Sequence, residues 1–357
     1  MKTADFTDPL TIQSHLSCTF IPLSTITPLL GGFSNFTFRA HLSQSSPLVD
    51  NATTVIIKHS EPYSALHRDI SLDPLRCYYE HAILIACPPA VTFARLIIKT
   101  PTAYYYDKDH SIIVLADAGE ESLDLRTLLL SHSSFSFNAN LIGQGLGRFL
   151  HSLHTWGGTP ELRKELEENN KAGPLWTWLN YGRLLETIDI FPSVLSPYKE
   201  TFVEVVSAPD MDESEKTLTH GDFWCANILV SPEQDVITVV DWEMARLAHV
   251  WQDIGQMCAD LFLPYQFYRK MEGVQVMDGL LTGYGEVSEE VARRIVVHFG
   301  VSLVVWPCRV RTWGGEEDVK KCAQVGAEFI ARAWKKDWTW IKGSVLREVV
   351  KEEWTKG

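Results

Sequence analysis

Residues His220–Val230 read HGDFWCANILV, and just downstream Val239–Glu243 read VVDWE. Two carboxylates and an amide are threaded through apolar sequence. TLTHGDFWCANILV and VITVVDWEMA have the composition of two strand-bounded segments joined by the turn SPEQD. Asp222 and Asn227 lie five residues apart around FWCA, so one tight loop can turn both side chains inward. Asp241 ends the apolar run ITVV, where a carboxylate emerges at the edge of a sheet. Such hard oxygen donors suit Mg2+, and a carboxylate beside a hydroxyl can accept its proton. Taken singly, each has an ordinary explanation: an Asx-turn at Asp222, a backbone bond at Asn227, a loop cap at Asp241. Three in this order between apolar strands favour a site.

Working outward, the first third is strand-rich. Leu30–Arg39, LGGFSNFTFR, sets Gly31, Gly32 and Ser34 between β-forming runs, as in a hairpin whose backbone N–H groups can close over phosphate oxygens. It lacks the GK[ST] ending of the nucleotide P-loop. Lys58 ends the apolar strand TTVII, and its ammonium can neutralise phosphates or snorkel at an edge. DPLRCYYEHAILIA reads as a helix capped by Asp73, with Pro74 in its first turn. Glu80, in the middle of that helix, needs a partner among apolar neighbours; Lys58 is the natural one, and Arg76 is one turn away. ARLIIKTPTAYYYDKDHSIIVLADAGE suggests two strands joined by DKDH and ending at Asp117. Helical periodicity dominates beyond that point. SHSSFSFNAN reads as a loop, and TPELRKELEENNKAG as a solvated insert, helical at most in its middle. The expected fold is α+β, with a β-rich N-terminal lobe over 1–117 and a helical C-terminal lobe over 118–357.

The bulk composition narrows the partners. The formal charge of −13, with no basic run, argues against nucleic acid and leans toward a cationic small molecule. The seven cysteines form no CxxC pair, as in a protein of reduced thiols. MKTADFTDPLTIQSHL lacks a basic stretch leading into an apolar one, and no run reaches membrane-spanning length. A cytoplasmic protein with no membrane partner is expected. No coiled-coil repeat stands out, so a monomer is the default.

The order is now glycine hairpin, strand lysine, helix glutamate, lobe boundary, Asp…Asn loop, strand-ending Asp. It suits phosphoryl transfer from a nucleotide held between two lobes. In LLGGFSNFTFR, VIIK, YYEHAIL, VLADAG, GRFLHSLH, HGDFWCANILV and VVDWEMARLAHVWQDIGQM the sequence resembles the aminoglycoside phosphotransferase and choline kinase superfamily, which shares the protein-kinase fold. The resemblance spans roughly residues 29–260; HGDxxxxN and DWE are its specific motifs, and the glycine loop is looser. It implies ATP and Mg2+ as cofactors. Asp222 would orient and deprotonate the acceptor hydroxyl, and Asn227 and Asp241 would hold Mg2+. Gly31, Gly32, Ser34 and Asn35 would cover the phosphates, with Lys58 on the α/β-phosphates aligned by Glu80. Leu115 to Gly119, Asp117 included, would carry the adenine edge. Asp253 would buttress the catalytic loop, and His220 would support it as a packed histidine. Ala116 before DAG departs from many members, at a position where backbone atoms make most adenine contacts.

IIKHSEPYS and the C-terminal SLVVWPCRVRTWGGEEDVKKCAQVGAEFIARA resemble a narrower set of fungal small-molecule kinases that includes 4-hydroxytryptamine kinase, and also the methylthioribose kinase branch. The acceptor is expected among helical-lobe side chains. Trp224, Glu243, Asp260, Trp306 and Trp313 are the candidates for an aromatic, acidic pocket holding a protonated amine, although each tryptophan also serves as a core filler. An amino alcohol, aminoglycoside or hydroxylated aryl amine fits such a pocket; a sugar such as methylthioribose would need more hydroxyl-directed hydrogen bonds. Glu243 is a candidate for metal contact too. A catalytically inactive kinase-fold binding protein is the alternative from another class. A protein kinase is disfavoured by DWE and by the lack of an APE-like segment, and a hydrolase by the lack of a G-x-S-x-G elbow.

Overall fold

The computed structural model describes residues 4–131, 137–169, 171–208, 211, 215–310 and 313–356. Alternating side chains build the N-terminal sheet. In Phe36–Leu42, Phe38 and Ala40 point inward while their neighbours are half-exposed. The five strands are antiparallel and run, edge to edge, Leu23–Pro28, Phe36–Leu42, Thr54–His59, Ile112–Ala116 and Ala103–Asp107. One face buries Phe38, Val55, Ile57 and Val114 against Ile12 and Leu16 of the helix Pro9–Thr19. Lys58 is in the central strand, between Thr37 and Ile113.

The helix carrying Glu80 is regular over Arg76–Ile85. Asp73 starts the turn before it: Oδ1 accepts the Leu75 N–H at 3.1 Å and its carbonyl accepts the Arg76 N–H at 3.2 Å. The expected cap thus lies one turn ahead of the helix proper.

Two expectations need correction. ARLIIKTPTAYYYDKDHSIIVLADAGE contains three strands, not two. Leu96–Lys99 stops before Pro101, which has no N–H for a ladder. It leaves the N-terminal sheet and pairs in parallel with Val236–Val239. A second five-stranded sheet results, in the order Val91–Phe93, Leu96–Lys99, Val236–Val239, Ile228–Val230, Leu123–Asp124. Sheet membership therefore crosses the 117/118 boundary read from the sequence. The supposed solvated insert is the helix Pro160–Glu168, capped by Thr159, with Leu162 and Leu166 buried one turn apart. Its charges masked a two-leucine face. Of SHSSFSFNAN, residues 132–136 lie outside the described residues.

The helical lobe is organised by Ala139–Trp156, Trp251–Tyr268, Glu272–Tyr284, Glu289–Val305 and Glu316–Trp334. Two of these touch backbone to backbone. A Cβ at Gly143 would lie 2.0 Å from the Val276 carbonyl, and one at Gly283 would lie 2.3 Å from that of Gln144. Among the described residues no helix is long and apolar enough to cross a membrane, and the seven cysteines are free thiols.

Candidate active site

The strands Thr217–Thr219 and Arg246–Ala248 pair and deliver the chain to His220. Gly221 turns there with φ +80°, and a Cβ on it would stand 2.1 Å from the Met244 carbonyl, so only glycine fits. Asp253, at the start of the helix Trp251–Tyr268, is wholly buried beneath this turn. Its carboxylate accepts the N–H groups of His220 (2.8 Å) and Gly221 (2.9 Å) and lies 3.1 Å from His154 Nε2. Burial pushes this acid up, but His154 and the backbone donors outweigh it and keep the group ionised. His220 Nε2 lies 3.0 Å from the Val240 carbonyl, and Nδ1 accepts the Asp222 N–H at 3.3 Å. With both nitrogens used and burial lowering its pKa, this imidazole is neutral.

Asp222 is half-buried. Its Oδ1 accepts from Gln256 Nε2 at 2.8 Å, and its Oδ2 from Trp224 Nε1 at 3.1 Å and Asn227 Nδ2 at 3.2 Å. Burial and the charge of Asp241 outweigh these donors and push its pKa up to about 6. Asn227 Nδ2 also donates to the Asp222 carbonyl at 2.9 Å, so its carbonyl oxygen is the end left for a ligand. The Val240 N–H meets the Asn227 carbonyl at 2.9 Å, and Ile228 pairs with Val239. Asn227 and Asp241 therefore flank one pair of strands at the same end.

Asp241 has φ +69°, an uncommon conformation for a residue with a Cβ. Its Oδ1 accepts from Lys58 Nζ at 2.6 Å, and Lys58 also donates to Glu80 Oε1 at 2.7 Å. Burial pushes the pKa of this lysine down; Asp241 and Glu80 outweigh that and raise it. Glu80, 1% exposed, is pushed up by burial, while Asp241, its side chain 33% exposed, is held below the usual carboxylate range by Lys58.

The glycine hairpin departs from expectation at Asn35. Gly31 has φ +104°, a conformation that favours glycine, with open space around it. The Asn35 side chain faces inward: Nδ2 donates to Glu243 Oε2 at 2.8 Å, and Oδ1 accepts from Ser60 Oγ at 2.7 Å and Arg76 Nε at 3.2 Å. With Oδ1 and one Nδ2 hydrogen committed to these partners, the side chain anchors the hairpin from within. Ser34 adds its carbonyl, 3.1 Å from Arg76 Nη2. Glu243 belongs to the same knot, 3.1 Å from Arg76 Nε. At 6% exposure its carboxylate is buried within this knot, not lining an open aromatic pocket with Trp224 and Asp260 as expected. At the hinge, Leu115 is buried and pairs with Ile56. The Asp117 carboxylate is held by Arg39, at 2.6 Å from Nε and 2.9 Å from Nη2. The carboxylate is thereby committed to Arg39 and to the Gly119 N–H, 3.0 Å away.

The aromatic, acidic pocket also differs. Asp260, Trp224 and Trp313 do come together, but around the protein's own cation. The Arg126 guanidinium lies 4.5 Å from the Trp224 ring and 5.1 Å from Trp313, and is ion-paired with Asp260. The second Asp260 oxygen accepts the Cys225 N–H at 3.0 Å. Trp306 is elsewhere, donating its indole N–H to Asn180 at 3.0 Å. Arg126 and Gln256 were missed in the sequence. Gln256 had a signal: Asp253, Gln256 and Asp260 recur at helical spacing on an otherwise apolar helix. Arg126 had none, being one charge in a short helix after the boundary.

Three kinds of likeness bear on this geometry. A family model described as Phosphotransferase enzyme family matches residues 121–294, a span that includes the loop, DWE and Asp253. Phosphotransferase FrzJ from Cladobotryum sp is 24% identical over 361 residues, covering 92% of this chain and 93% of its own. The 4-hydroxytryptamine kinase of Psilocybe cubensis is 25% identical over 323 residues, covering 86% of each. Among solved structures, the spectinomycin phosphotransferase APH(9)-Ia in complex with ADP and spectinomycin superposes with a TM-score of 0.53 at 14% identity, over 91% of this chain and 98% of that one. That likeness concerns the fold. Residues 121–294, just under half of the chain, match that family's model, and the chain as a whole has the two-lobed, protein-kinase-like fold of the structure it superposes on.

Proposed function

We propose that this chain transfers the γ-phosphoryl group of ATP to a hydroxyl of a small organic molecule. The observation that carries the reading is Asp222, a half-buried carboxylate oriented by Gln256, Trp224 and Asn227 and close enough to Asp241 to feel its charge. Asp222 orients the acceptor hydroxyl and takes its proton. Lys58, aligned by Glu80, faces the phosphates. The Asn227 carbonyl and the Asp241 carboxylate, at the same end of paired strands, are a hard-oxygen set that fits Mg2+. The ion would neutralise phosphate charge there. Backbone of the hinge and of the glycine hairpin frames the nucleotide, and the ADP held by the spectinomycin enzyme supports an adenine base.

An acceptor bearing both a hydroxyl and an amine is supported by the likeness to 4-hydroxytryptamine kinase. The box around Asp260 does not add support, because Arg126 already fills it. That guanidinium favours a second reading: an acceptor, sugar-like or otherwise, whose far end offers oxygen atoms as hydrogen-bond acceptors. A labelled-ATP screen across hydroxyindoles, amino alcohols, aminoglycosides and methylthioribose separates the two. Nucleotide binding with no transfer to any acceptor would leave the inactive binding protein as the better description.

A further inference from the structure

Away from the cleft, three side chains converge that phosphotransfer leaves unused. His15 comes from the helix Pro9–Thr19, and Asp107 and His110 from the hairpin closing the edge strand Ala103–Asp107. His15 Nε2 and His110 Nδ1 lie 2.7 and 2.9 Å from one oxygen, Asp107 Oδ2. One donor atom from each of the three lies within 4.8 Å of the others. We propose that His15, Asp107 and His110 bind a divalent transition-metal ion, with zinc the best match.

The donor set selects the metal. Two imidazole nitrogens and a carboxylate oxygen suit zinc and its borderline neighbours, whereas Mg2+ and Ca2+ prefer oxygen alone. Water completes the tetrahedron. Tetrahedral zinc ligands at about 2.0–2.1 Å stand roughly 3.4 Å apart, so the two His–Asp separations must widen by about 0.5–0.7 Å while the two imidazoles settle to the same spacing. The surroundings hold the ligands ready. Asp107 Oδ1 accepts the N–H groups of Asp109 at 3.0 Å and His110 at 3.2 Å, fixing the carboxylate. Phe6 forms an apolar wall, its ring 5.1 Å from His15 and 4.5 Å from His110. The His15 and His110 side chains are 20% and 39% exposed, which leaves an entry path. Without metal the two imidazoles donate to Asp107; with metal each ring proton moves through solvent to the opposite ring nitrogen, the bared nitrogens become ligands, and the ion ties the N-terminal helix to the sheet.

The test uses the full chain, free of any histidine tag and stripped of metal. Zinc is expected to raise the melting temperature and be retained at one ion per chain, and cobalt to give visible absorption bands. His15→Ala and Asp107→Asn should weaken zinc at least tenfold and abolish the bands. Asp241→Asn should keep both signals, which separates this site from the proposed magnesium site. Excess magnesium should not displace the retained zinc. If His15→Ala or Asp107→Asn fails to fold, His110→Gln at the exposed hairpin supplies the comparison. No retained zinc in the wild type, or equal zinc binding in the folded variants, overturns the proposal whatever the phosphotransfer assay shows.

Discussion

Arg76 Nε stands 3.1 Å from Glu243 Oε2, and both side chains are less than a tenth exposed. The same guanidinium reaches the carbonyls of Ser34 at 3.1 Å, Glu61 at 2.9 Å and Asp73 at 3.0 Å. Asn35 bonds to both members of the pair. The glycine hairpin is thereby fastened to the residue two beyond Asp241. One buried knot sets how closely the hairpin approaches Lys58, the proposed metal ligands and the loop that carries Asp222.

Arg76→Met keeps the packing stem and removes the charge, leaving Glu243 without its cation. Breaking a buried pair from one side costs about 3–5 kcal/mol, so a lowered melting temperature is expected. The hairpin should also loosen, raising KM for the nucleotide at least tenfold while kcat falls less. Steady-state kinetics at saturating acceptor read the split. Equal losses in both parameters would mean that the knot does not position the hairpin.

Asp222→Asn should reduce kcat by roughly 10²–10⁴-fold, the range for removing a positioned general base, with nucleotide affinity within about twofold of wild type. Binding is read by fluorescent-nucleotide displacement and turnover by labelled phosphate. Unchanged function in a folded variant would remove Asp222 from the chemistry.

Much of this site was legible because its parts are local. HGDFWCAN and VVDWE carry the loop and the strand-ending carboxylate within short windows, and an acid in an apolar helix demands a cation. Lys58 and Glu80 accordingly meet at 2.7 Å. What was not legible depends on long-range partners. Asn35 reads as part of a phosphate-covering loop, and nothing local reveals its inward bonds to Glu243 and Arg76, which are distant in sequence. Trp224, Asp260 and Trp313 read as a pocket for a foreign amine because nothing local reveals that Arg126 fills the space. The strand Leu96–Lys99 was hidden in a continuous β-forming run, since only tertiary pairing with Val236–Val239 separates it.

Acid should switch the enzyme off through Asp222. Its pKa in the fold is pushed up to about 6 by burial and by Asp241. The ionised form accepts the proton, so kcat/KM should fall as pH drops through that value. A cation on Asp241 would move the limb lower. The stability linkage has the opposite sign. The folded chain holds this proton at pH values where the unfolded chain, near 3.8, has released it, so this group's contribution declines as pH rises between the two. Gln256→Leu removes a donor to the charged form and should move the acid limb upward. Profiles taken from about pH 5 to about pH 8 check both shifts. An acid limb that does not move in Gln256→Leu would assign it to another group.

The proposed acceptor pocket is tested at Arg126. Its guanidinium lies against the Trp224 ring at 4.5 Å, and the Trp224 indole N–H is 3.1 Å from Asp222 Oδ2, so the charge is one ring away from the proposed base. Arg126→Gln removes that charge and leaves Asp260 facing two indoles, a box complementary to an ammonium group. Asp260 keeps the Cys225 N–H on one oxygen, so the loop retains an anchor while stability falls. The ratio of kcat/KM for amine-bearing over neutral acceptors should rise about fivefold or more, as a gain of about 1 kcal/mol of cation–π attraction implies. Parallel assays on one acceptor scaffold, with and without the amine, give this ratio directly. A folded variant with an unchanged ratio would place the acceptor's far end away from Arg126.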